Sequence, residues 1–79
     1  MRYGRLKSSP RLQRALKALQ DAQGELSTMQ WAQAAKICAV SSVAAELRAN
    51  GAQISCRQAT EDGQRRWYYT LLKSPEGQQ

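Results

Sequence analysis

Apolar residues recur at the spacing of an α-helix over the first two thirds of the chain and at the spacing of a β-strand over the rest. Leu12, Ala15, Leu16 and Leu19 stand at i, i+3, i+4 and i+7, one stripe on a helix, with Arg14, Lys17 and Asp21 opposite. Ser9-Pro10 supplies a capping residue and a proline suited to the first helical position, and Gly24 supplies a stop. The pattern predicts a helix over 10–23. Ser27-Thr28-Met29-Gln30 matches a capping box and predicts a second helix over 28–36, with Thr28, Trp31, Ala32 and Ala35 on one face. Val40, Val43, Ala44 and Leu47 form the stripe of a third helix over 40–50, which Asn50-Gly51 closes.

Beyond Gly51 the period becomes alternating. Ile54, Cys56 and Gln58 take one face. After a hairpin turn at Asp62-Gly63, Trp67, Tyr69 and Leu71 alternate with Arg66, Tyr68 and Thr70. Core packing is expected for Trp31, Trp67 and Tyr69, and an outward position for Tyr68. Glu25-Leu26 reads as an extended link able to add one small strand. The order is helix, helix, tight turn, helix, two-stranded hairpin. This is a mainly α chain with a β-hairpin (α+β), in the arrangement of a winged helix-turn-helix. Ile37-Cys38-Ala39 sets the angle between the second and third helices and fills the core beneath their turn. Cys38 is therefore expected to be buried there and Cys56 on the inner face of the hairpin, both reduced. Residues 1–8 read as a flexible basic arm, 9–72 as the domain and 73–79 as a disordered tail.

Charge changes the picture. The net charge is +6, with 12 basic and 6 acidic residues among 79. Arg2, Arg5, Lys7, Arg11, Arg14 and Lys17 precede the first acid, and from residue 18 onward bases and acids balance. The excess is N-terminal and favours a polyanionic partner. No apolar run is long enough to span a bilayer, and no segment reads as a secretion signal, so a reduced cytoplasmic setting is expected, with no membrane partner. With no His and two Cys, neither a metal site nor histidine-based catalysis has its ligands, and no glycine-rich phosphate loop is present. The chain reads as a non-enzyme without a cofactor.

The segments LSTMQWA, ICAVSSVAAELRANGAQISCR and GQRRWYYTL, within Leu26 to Leu71, resemble the small winged helix-turn-helix domains of phage and prophage proteins. The echoes are Val43, Glu46-Leu47-Arg48, Gly51, Ile54, Tyr69 and Leu71. Lys36 departs from the glycine that many such turns carry. The resemblance implies binding of double-stranded DNA, in nucleoid-associated gene control or another DNA transaction. A homodimer on DNA, or a phage or host protein, is a further partner within that reading. The third helix would then enter the major groove with Ser41, Ser42, Ala45 and Arg48. The hairpin would set Arg57, Arg65 and Arg66 on the backbone, and Arg2, Arg5, Lys7 and Arg11 would follow phosphates from the arm and first helix. The bland alternatives are helix-start serines and edge-strand charges that deter sheet pairing. The competing class is a protein-interaction module that packs the alanine-rich face of the third helix, Ala45 and Ala49, on another protein.

Overall fold

A computed structural model of the chain describes residues 5–75. The fold is α+β, with three α-helices and a three-stranded antiparallel sheet in the order β1-β3-β2. A short 3-10 helix, Leu6–Ser8, leads into α1, Pro10–Ala22. The Ser9 hydroxyl accepts from the Leu12 amide at 3.3 Å, with proline at the first helical position. The helix ends one residue before the expected 23. Gln23, not Gly24, takes the left-handed conformation that closes it, at φ 52°.

Strand β1, Leu26–Ser27, feeds directly into α2, Thr28–Ala35. The capping box is complete: the Gln30 amide donates to Ser27 Oγ at 3.1 Å, and the Ser27 amide donates to Gln30 Oε1 at 2.9 Å. Lys36 ends α2 in the left-handed region at φ 56°, where glycine carries no Cβ penalty. Arg14 reaches across from α1 and donates to the Ala35 carbonyl at 3.0 Å, satisfying an acceptor that the helix end leaves open. Helix α3, Val40–Ala49, follows after four residues, 36–39.

The hairpin joins β2, Gln53–Glu61, to β3, Gln64–Lys73. Asp62 and Gly63 both have positive φ, 51° and 75°, as the tightest hairpin turns require. Strand β3 is central, because Leu26 and Ser27 pair with Tyr69 and Tyr68 on its other edge. The hairpin expected as a two-stranded unit is thereby tied to the helices.

Trp31 is fully buried, its indole N–H donates to the Ala15 carbonyl at 3.0 Å, and its ring lies 5.1 Å from that of Tyr69. Leu12, Leu19, Val43 and Leu47 complete the centre of the core. Leu6 also belongs to it, at 2 % exposure, and its amide donates to Asn50 Oδ1 at 3.1 Å. The arm expected over 1–8 is therefore packed from Leu6 onward, because a large apolar side chain can cover the gap between α1 and the end of α3. At the other end Pro75 is buried and Ser74 bonds Gln20, so the packed body runs past 72.

Two further expectations are corrected and one is refined. Cys38 is exposed: in the short turn only Ile37 points inward, while Cys38 occupies the outer corner and its carbonyl accepts from Val40 N at 2.9 Å. Cys56 lies on the inner face as expected, paired with Tyr69, but is exposed because it stands on the edge strand and not on the covered central one. Trp67 is 44 % exposed, because the helices cover the sheet only at its base.

Candidate functional site

Directly paired residues of an antiparallel ladder share a face. The register places Cys56 with Tyr69, Gln58 with Trp67 and Thr60 with Arg65 on the face that turns toward the helices at its base. The outer face carries Arg57 with Tyr68 and Ala59 with Arg66. From Gln58 to Arg66 nearly every side chain is exposed, so the hairpin projects as a ribbon by roughly 10 Å beyond the body.

The outer face is occupied by its own ion pairs. Arg57 donates two bonds to the Glu25 carboxylate, at 2.6 and 3.2 Å, and its guanidinium lies 4.7 Å over the Tyr68 ring. The Arg57 hydrogen bond holds the Glu25 carboxyl below its ordinary value. The Tyr68 hydroxyl donates to Glu61 at 2.8 Å, and that contact, with some burial, pushes its phenol up. Glu61 also pairs with Arg66 at 3.3 Å. Tyr68 is thus half-covered and bound through its hydroxyl, not simply turned outward.

Of the three hairpin arginines singled out from sequence, Arg57 and Arg66 are matched by acids and Arg65 has no ion-pair partner among the described residues. Arg48, placed from sequence on the DNA-facing side of the third helix, instead donates to the Ile54 carbonyl at 2.8 and 3.3 Å and fastens α3 to β2. Arg11 is drawn into a 2.7 Å pair with Glu46. Arg5 and Lys7 are exposed, and Arg2 lies outside the described residues. Ser41 and Ser42 are exposed at the start of α3, and Ala45 is half-buried.

Between the hairpin's inner face and the starts of α2 and α3 lies a cleft with two lobes. One, of about 530 Å³, is bounded by Thr28, Cys38, Ser41, Cys56, Trp67 and Tyr69. The other, of about 410 Å³, adds Met29, Arg65 and Arg66. No acidic residue lines either lobe. The Thr28 hydroxyl donates to the Trp67 carbonyl at 3.4 Å, holding the ribbon against α2 at this point. Met29 and Trp67, 66 % and 44 % exposed, make the rim apolar.

The sequence pattern marked this ribbon and the α3 start, but not the cleft, since Met29 and Thr28 reach it only through the pairing of β1 with β3. Among the described residues no three His, Cys, Asp or Glu side chains group as metal ligands, and no helix is long and apolar enough to cross a membrane. Comparison of the chain with protein-family models, with characterised proteins and with solved structures finds no match.

Proposed function

We propose that the chain is a winged helix-turn-helix protein that binds double-stranded DNA, as a transcriptional regulator or DNA-transaction accessory factor of the phage or prophage type, acting in the cytoplasm at the nucleoid. The supporting observation is the way charge is distributed by folding. Asp21, Glu25, Glu46 and Glu61 are each held by a base within the molecule. The exposed start of α3 and the inner face of the ribbon beside it carry no acid, and Arg65 stands there without an ion-pair partner among the described residues. In this reading α3 enters the major groove with Ser41, Ser42 and Ala45, and Arg65 takes a phosphate. Arg5 and Lys7 add backbone contacts from the N-terminal side, and Arg48 acts as a brace for α3.

Phosphate contacts set affinity and its salt dependence, and base edges set site choice. Binding to a random duplex, measured over a salt series, should weaken steeply with salt, and Arg65→Ala should lower the slope by about one unit. Ser42→Glu should abolish binding by repulsion inside the groove. A second reading has one observation in its favour: with Arg48 bonded to the Ile54 carbonyl and Glu46 paired with Arg11, α3 offers a run of small side chains, Ser41, Ser42, Ala45 and Ala49, as a close-packing protein interface would. If Ser42→Glu and Ala45→Glu left duplex binding intact while abolishing association with a protein partner, that reading would replace the DNA one.

A further inference from the structure

The cleft between the ribbon and the α2–α3 starts has a use that duplex binding through α3 does not explain. Trp67 is the large aromatic left open in it, beside Arg65 on the same face of β3. Its backbone is fixed at that point by Thr28 and by the pairing of Ser27 with Tyr68, so the indole is presented from a braced strand. The lining has Arg65, which holds no ion pair among the described residues, Arg66, which is paired with Glu61, hydroxyls at Ser27, Thr28 and Ser41, and no carboxylate. An aromatic face with cations beside it and no acid suits an unstacked nucleobase with its phosphate: the base stacks on indole and the phosphate meets guanidinium.

We infer that this cleft receives an unpaired nucleotide, so that the protein prefers duplex DNA carrying a single-stranded extension or gap over fully paired duplex. The inference rests on the DNA-binding reading above and adds a second contact to it. The cleft volumes, about 530 and 410 Å³, are those of small-ligand pockets, not of a groove for a whole duplex. The +6 charge of the whole chain favours an anionic partner, and the open indole face of Trp67 favours one that is also flat, as a nucleotide is and an acidic peptide is not.

Intrinsic fluorescence tests it cleanly, since Trp31 is fully buried and Trp67 is the indole a ligand can touch. The full chain is titrated with a blunt duplex, with the same duplex bearing a five-nucleotide overhang, and with polyglutamate as a polyanion without bases. The overhang duplex should quench Trp67 and bind about 5- to 100-fold more tightly than the blunt one, the increment of one or a few stacked bases. Read by gel shift with labelled duplexes, because these variants lack the reporting indole, Trp67→Leu should remove that increment and leave blunt-duplex affinity unchanged, and Trp67→Phe should restore part of it. Equal binding of blunt and overhang duplexes overturns the inference and leaves the DNA reading standing. Overhang binding with no blunt-duplex binding at low salt supports the cleft and overturns the duplex reading. Equal quenching and affinity with polyglutamate overturns the inference in favour of an acidic protein partner, and a Trp67→Leu loss equal on both duplexes overturns it as well.

Discussion

At the residue scale, folding redistributes charge that the sequence presents as uniform. Arg57, Arg65 and Arg66 look equivalent in the chain, yet Glu25 claims the first and Glu61 the last. Glu25→Gln should release Arg57 on the outer face of the ribbon, away from the proposed interface, and so leave the salt slope of duplex binding unchanged, in contrast to Arg65→Ala. The same pair sets a pH dependence. The folded Glu25 carboxyl lies below its ordinary value because Arg57 hydrogen-bonds it. Its contribution is present above the ordinary glutamate range and is lost as pH falls through the lowered value. Thermal melts of wild type and Glu25→Gln should therefore differ at neutral pH and converge only in acid. The two cysteines make a separate point. Both are exposed, so a thiol-reactive chromogenic disulfide should label two equivalents rapidly in the native protein. Slow labelling of either would mean that the thiol is buried after all.

Between elements, the joints are specified by side chains from elsewhere in the chain. Arg14 closes the end of α2, Arg48 fastens α3 to β2, and Asn50 receives the amide of Leu6. Lys36 is the weak point, since its left-handed backbone costs a residue with Cβ about 1 kcal/mol. Lys36→Gly should raise the denaturation midpoint by an amount corresponding to about 0.5–1 kcal/mol, because part of the gain is offset by the greater freedom of glycine when unfolded. A lower midpoint would show that the Lys36 side chain contributes more than its backbone strain. The α2–α3 angle places the exposed α3 start beside the ribbon, so this joint governs the proposed interface directly.

For the whole molecule, the N-terminal segment is structure as well as charge. Leu6 lies in the core beside α1, and Leu6→Ala should cost about 2–5 kcal/mol, read from chemical denaturation. Arg5→Ala and Lys7→Ala, both at exposed positions, should leave the melt unchanged and reduce the salt slope of binding. Deleting 1–7 should lower stability too, which separates the two roles of this end. A small core has little reserve against such a loss.

What the sequence determined by itself is local. The stripe of α1, the capping box of α2, the stripe of α3 and the Asp62-Gly63 turn were legible because each rests on periodicity or turn chemistry within a few residues. The α+β order of elements follows from them. The sequence pattern also marked Ser41, Ser42 and Arg65 as exposed, and they are. It placed Trp67 and Cys38 inside, and it did not show that Cys56 stays open on its inner face or that Glu46 and the Ile54 carbonyl hold Arg11 and Arg48. Those readings turned on contacts between distant segments. Alternation tells which residues share a face of a strand, but not how far along the strand the helices cover that face. Charge type tells which side chain can meet a phosphate, but not whether Glu46, 35 residues away, or the Ile54 carbonyl has met it first. Only tertiary structure decides coverage and pairing, because both depend on which surfaces lie within a few ångströms after the chain has closed.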